Sequence, residues 1–412
     1  MSNNNVNTKV SVSWTIRYTL LNAAYFVAFC TVHAYAAVFL LANGFNNTEV
    51  GILLAAANII SAVFQPVIAG IIDKPGFLTN KRFIIMSVLG ILAGCVILMA
   101  VPGKKIPIFI VYAFIYMIQF AYQPVMTALC FEFQKAGCNI FYGLARGLGS
   151  ASFAITSLFI GRTVEKNGIS VLLWVSIIAM IISAAVMFTF VKPKKNTEDL
   201  KDIRDDKPSG KAHNGLISFA KTYPAFVLFL IATVFFFFAH NMINDFMIQI
   251  IRNLGGRETE LGIANFLQAI LELPVMALIG LILKKLSAKK LLVISGAAFF
   301  VKVLILVFAT GMVHMYISQS FQILAYAVFI PAGAYYVSST MEELDQVKGQ
   351  AFITSAITIG GVFSNFISGY ILDHFSIRAM LTVGSIVCGV GVIIGFIAMT
   401  RLPHHVENKE AK

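Results

Sequence analysis

Twelve apolar runs, each about 20 residues long, constrain this chain more than any other feature of it. They fall near residues 15-42, 50-72, 82-102, 107-131, 140-161 and 169-191, then 224-249, 260-283, 290-310, 314-338, 350-372 and 378-400. Hydrophobic residues make up 58% of the chain and charged ones 12%, which is more apolar side chain than a soluble globule can bury. The runs have the length of helical spans and lack the short alternating segments of an outer-membrane barrel. The expected fold class is therefore an all-α integral membrane protein with twelve transmembrane helices.

The net charge of +12 does not point to nucleic acid, because the bases sit in short loops between apolar runs. Lys74, Lys81, Arg82, the loop after the sixth run and Lys284, Lys285, Lys289 and Lys290 all fall on one side. That side is expected to be cytoplasmic, with both termini. The opposite loops are poorer in bases, holding Lys104, Lys105, Arg162, Lys166, Arg252 and Arg257. Polar MSNNNVNTK before the first run, and no small-residue cleavage site after it, read as a retained first helix. Cys30, Cys95, Cys130, Cys138 and Cys388 lie in or beside apolar runs at no metal-binding spacing, so they read as small buried hydrophobes.

The one long polar segment, Lys192 to His213, divides the chain into an N-terminal six-helix half (1-191), a flexible cytoplasmic linker (192-222) and a C-terminal six-helix half (223-412). Internal repetition supports the division. Val50-Gly51-Ile52 returns as Leu261-Gly262-Ile263, and Gln65-Pro66 and Gly70 find rough counterparts in Leu273-Pro274 and Gly280. Parallel six-helix repeats place a solute site near the bilayer midplane between them. After the second span, Gly70, Asp73, Lys74, Gly76, Lys81 and Arg82 spell a tight charged turn, and the second copy keeps the bases but loses the acid.

Twelve spans, a basic central loop and Gly70-x-x-Asp73-Lys74-x-Gly76 with Lys81-Arg82 resemble the major facilitator superfamily over nearly the whole chain. Gly51 to Ala56 through Phe64-Gln65-Pro66, and Tyr142-Gly143-Leu144-Ala145-Arg146-Gly147-Leu148-Gly149, are similar to the lactose permease branch of oligosaccharide:proton symporters. The resemblance implies a bacterial inner membrane. It also implies that Gly70, Asp73, Lys74, Gly76 and Arg82 form a conformational latch at the cytoplasmic ends of the helices.

Charges inside a span cost about 3 kcal/mol each on insertion scales, so those that persist face a partner or a wet cavity. Arg146, Gly149, Ser150 and Phe153 share one face of the fifth span. A guanidinium fork can hold two hydroxyls while a ring stacks on the apolar face of a pyranose. The resemblance gives Arg146 and Phe153 those substrate-binding roles. The acid that the family pairs with this arginine corresponds to Ala128, and Glu132 stands one turn further on. Two readings of Arg146 stay open, a cavity-facing ligand and a structural pair with Glu132.

Asp245, Glu272 and Lys302 lie in three successive spans of the second half, and His33 lies midway through the first. A buried carboxyl takes up a proton more readily once a nearby cation moves away, so these residues are expected to couple solute movement to protons. Fixed Asp245/Lys302 or Glu272/Lys302 ion pairs are the structural alternative, and for His33 it is packing. The resembled branch carries a histidine and a glutamate in the tenth span. Here that face is neutral, with Gln319, Gln322 and Tyr326. Asn241 and Gln123 complete the expected solute contacts with Glu272, Gln319 and Gln322.

No phosphate loop, HExxH, CxxC or GxSxG pattern is present, so no cofactor, metal or enzymatic chemistry is expected. The chain reads as a monomeric secondary transporter that moves a small polar solute, an oligosaccharide or glycoside in first place, by proton symport with alternating access. A nucleoside or organic-anion carrier of the same fold is the alternative, since an arginine without its acid suits a carboxylate. A channel is less favoured, for want of a filter loop or charged rings.

Overall fold

The structure is a computed structural model that describes residues 3-72, 74, 76-191 and 216-400. Every regular element among them is helical. In order these are α1 (Asn3–Phe29), a π-turn (Cys30–Ala34), α2 (Ala36–Ala42), α3 (Asn47–Ile72), α4 (Asn80–Ala100), α5 (Lys105–Lys135), α6 (Tyr142–Asn167) and α7 (Ser170–Phe188). After the central segment come α8 (Leu216–Thr222), α9 (Pro224–Asp245), α10 (Met247–Asn253), α11 (Glu258–Leu283), α12 (Ala288–Val307) and α13 (Met312–Ser320). A 3-10 turn (Phe321–Ile323), α14 (Tyr326–Thr340), α15 (Glu343–His374) and α16 (Ile377–Thr400) complete the chain.

Ten of the described helices or helix runs are long and apolar enough to cross a membrane, and two bent pairs bring the number of spans to twelve. The sequence-expected spans are each found, within a few residues. Outward faces are apolar, with Ile59, Val63, Val67, Leu89, Ile178 and Ile393 exposed, whereas Ser87, Gln119, Ser157, Ser183 and Ser318 are buried. Only a hydrocarbon solvent makes that arrangement stable. Among these buried groups Ser87 donates its hydroxyl to the Phe83 carbonyl of its own helix, and Ser318 donates to the Lys302 carbonyl of a neighbouring one.

Packing divides the chain into two units, Met1–Asp202 with Arg257–Ala269, and Ile203–Gly256 with Ile270–Lys412. In the first unit α1 packs on α6 and α7, while α4 packs on α5 and α7. Buried tyrosines tie these helices together by their hydroxyls. Tyr25 donates to the Gln119 carbonyl at 2.9 Å, and Tyr35 to the Ser157 carbonyl at 3.3 Å. The first turns of α11 lie against α6 through two glycines. A Cβ on Gly161 would stand 2.0 Å from the Glu258 carbonyl oxygen, and one on Gly262 would stand 2.3 Å from that of Ser157. Thr259 donates its hydroxyl to Glu165 beside this contact, and Arg257 stands 3.6 Å from the same carboxylate.

The second unit is built on α9, which packs against α15 and α16, with α12 against α14 and α16. Its core is phenylalanine. Phe236 stacks on Phe299, and Phe237 meets Phe299 and Phe329 edge-on or tilted. Room for Phe236 comes from Gly296, where a Cβ would fall 2.6 Å from the ring.

The repeat seen in the sequence extends to the helix starts. At α3, Asn46 and Glu49 bond reciprocally, each backbone amide to the other's side chain. At α11, the Arg257 amide donates to Glu260 at 2.7 Å, the same half of that box at the same spacing.

Candidate functional site

Polar groups gather inside each unit, and each gathering depends on a helix that is interrupted. In the first unit the π-turn separates α1 from α2 with a bend of 51°. A π-turn widens the helix and turns side chains that a straight α-helix would carry elsewhere. Here it carries His33, whose ring stacks on Phe29 at 3.9 Å and lies 3.9 Å from Tyr116 and 5.0 Å from Phe120. The His33 ring lies within reach of the buried Gln119 side chain, though without a well-formed hydrogen bond between them. Gln123, one turn along α5 from Gln119, is half-buried.

Phe29 links this cluster to Arg146. Its ring centroid is 6.2 Å from that of Phe26 and 6.4 Å from that of Phe153. The Arg146 guanidinium lies 4.4 Å over the Phe26 ring, and its Nη1 donates to Ser150 Oγ at 2.7 Å. Gly149 makes the approach possible, since a Cβ there would stand 2.9 Å from Phe26 and 3.0 Å from Asn22. Arg146 does not pair with Glu132, whose carboxylate accepts from Asn80 Nδ2 at 2.8 Å. Among the described residues no carboxylate comes within ion-pair distance of Arg146. Its charge is met by a hydroxyl and a ring, which leaves the rest of the fork available.

In the second unit the tenth span is broken. The 3-10 turn between α13 and α14 directs Gln322 inward, where it is fully buried. Lys302 of α12, also fully buried, donates its Nζ to Gln322 Oε1 at 2.7 Å, and Gln322 Nε2 donates to Glu272 Oε1 at 2.8 Å. Neither expected ion pair is formed among the described residues. An amide stands between acid and base, so each charge is hydrogen-bonded without direct contact. Gln319 is turned elsewhere, with its Nε2 against Met315 Sδ at 3.9 Å. His240 stacks on Tyr326 at 5.3 Å and meets Asn244 through its Nε2 at 2.9 Å, while Asn241 is half-buried beside them. Asp245 faces Asn365 rather than Lys302.

Of the latch residues, Asp73 lies outside the described residues. Arg82 closes its own turn, donating to the Phe77 carbonyl at 2.6 Å with its guanidinium 4.6 Å over the Phe77 ring. Lys74 is exposed, and the backbone at Gly70 and Gly76 has no positive φ. Next to this turn, Lys81 donates to the Phe190 carbonyl at 2.6 Å, which anchors α4 beside the end of α7. Sequence reasoning missed Phe26, Phe29 and Asn365, because an aromatic or amide in an apolar run carries no mark of which helix it will meet.

Residues 16–383 match the MFS_1 like family. The chain belongs to that family. This MFS_1-like protein is a multi-pass membrane transporter, and the likeness extends to individual proteins. It is 24% identical over 339 residues to YwbF of Bacillus subtilis (strain 168), an uncharacterized transporter, across 81% of this chain and 80% of that one. Its fold is similar to that of the nucleoside transporter NupG, with a TM-score of 0.75 at 16% identity over 95% of this chain and 100% of that one. An auto-inhibited peptide transporter of the POT family gives a TM-score of 0.74 at 12% identity, over 96% of this MFS_1-like chain and 98% of the other.

Proposed function

We propose that this MFS_1-like transporter carries an oligosaccharide or other glycoside by alternating access, in symport with protons. The observation that supports the solute class is Arg146, a guanidinium inside a span that is held by Ser150 and Phe26 and lacks a carboxylate partner among the described residues. Beside it runs the ring series Phe26, Phe29 and Phe153. Fork and ring together suit a solute with hydroxyls on one edge and an apolar ring face.

The Lys302–Gln322–Glu272 chain supports proton coupling. When Glu272 takes a proton, the attraction that Lys302 feels through the amide is lost, so protonation and rearrangement of the broken tenth span are linked. Gln319, Asn241 and Gln123 are further solute contacts in this reading, and His33 is a second proton-handling group.

A nucleoside is the second reading. The ring cluster of Phe29, His33 and Tyr116, with Phe29 stacked on His33 and Tyr116 tilted against it, suits a planar ring, and NupG, of similar fold, is a nucleoside transporter. The deciding experiment is competition for binding to the purified protein by labelled disaccharides, nucleosides and organic acids. Saturable binding of the sugars supports the first reading and of nucleosides the second; binding confined to organic acids contradicts both.

A further inference from the structure

The faces of α9 and α15 that pack together in the second unit turn polar toward the end of α9. At Gly360 the contact is backbone to backbone, since a Cβ there would lie 2.6 Å from the Val234 carbonyl oxygen and 3.0 Å from the Phe238 amide nitrogen. Asp245 stands seven residues beyond Phe238, so it continues the same face of α9. On α15, Ser364 and Ser368 are one turn apart, with Asn365 three residues before Ser368. All three are buried on one arc.

Of these, Asn365 meets the Asp245 carboxyl, and the two serines share its arc of α15. The Asn365 side chain stands against the Asp245 carboxyl, and its Oδ1 accepts no hydrogen bond among the described residues. The Ser364 and Ser368 hydroxyls also lack hydrogen-bond partners among the described residues, as those of Ser157 and Ser176 in the first unit do; here they share an arc with Asn365, the neighbour of a buried acid. Unpaired buried polar atoms are costly, and several of them on one arc beside a buried acid mark a place where a ligand can complete the bonding.

The backbone identifies that ligand as a cation. α9 ends at Asp245, and Phe246 leaves the helix with φ −113° and ψ 24° before α10 begins. The carbonyl end of α9 and its negative dipole end therefore meet at the acid. In membrane proteins the ends of interrupted helices, with their freed carbonyls, coordinate coupling cations. One carboxylate among neutral hydroxyl and amide oxygens balances a single positive charge. No cluster of three or more His, Cys, Asp or Glu that would suit a divalent or transition metal occurs among the described residues.

We propose that Asp245, Asn365, Ser364 and Ser368, with the carbonyl end of α9, form a sodium site separate from the Lys302–Gln322–Glu272 chain. Binding needs no solute, so this site stands or falls independently of the solute class. The test is thermal unfolding of the purified full chain at constant ionic strength, with choline chloride replaced stepwise by NaCl or KCl. Sodium should raise Tm saturably and more than potassium does. Asp245→Asn should abolish the rise, and Asn365→Ala and Ser368→Ala should each shift its midpoint severalfold to higher sodium. If Asp245→Asn does not fold, the two alanine variants decide. Equal Tm in NaCl and choline chloride, or an unaltered sodium response in the variants that fold, overturns the proposal. A Tm that responds to acidification and not to sodium also overturns it.

Discussion

At the scale of residues, the proposed solute site centres on a cation that the protein holds with neutral groups. Arg146 has a ring beneath it and one hydroxyl on its fork. Lysine at this place keeps the charge but loses the planar fork, so Arg146→Lys should weaken solute binding by at least about 1.4 kcal/mol, or tenfold, in equilibrium binding. Unchanged affinity removes Arg146 from the site. The pairing of Arg146 with Ser150 was legible in the sequence, because residues four apart share a helix face. Phe26 was not legible, since it lies on another helix and resembles its apolar neighbours. Likewise Glu272 and Lys302 were recognisable as buried charges, but Gln322 as the amide between them depends on a 3-10 turn that no glycine or proline within it announces.

Among the elements, helix lengths followed closely from the apolar runs, and the breaks within them did not. The π-turn at Cys30–Ala34 contains neither proline nor glycine. The bend of 49° in α11 is the exception, for it falls just after Pro274, whose missing amide leaves a carbonyl of the preceding turn unpaired. Close packing of α6 on the first turns of α11 is a further feature of elements, and it depends on Gly161. Gly161→Ala places a methyl group against a backbone carbonyl and should destabilise this packing by about 1–3 kcal/mol. Gly143→Ala on the same helix meets nothing within 4 Å and should leave thermal unfolding unchanged or slightly stabilised. Equal effects of the two substitutions on Tm would contradict the proposed role of the contact.

For the whole molecule, the sequence displayed the span number, the repeat and the family, because bilayer thickness fixes helix length and a duplicated half repeats its helix starts. It did not display which interior polar groups meet, since that depends on helix rotation. The proposed proton coupling belongs to this scale, as it would link the inner chain of Lys302, Gln322 and Glu272 to movement of the entire carrier. Solute added to unbuffered proteoliposomes should change the external pH, and Glu272→Gln should abolish that change. A pH change that persists in Glu272→Gln assigns coupling elsewhere. The most direct measurement of the central claim is counterflow. Proteoliposomes loaded with unlabelled disaccharide and diluted into a trace of labelled disaccharide should accumulate the label transiently, at a rate that saturates with concentration. Label that merely equilibrates, with a rate that rises without saturation, would contradict a carrier with one alternately exposed site.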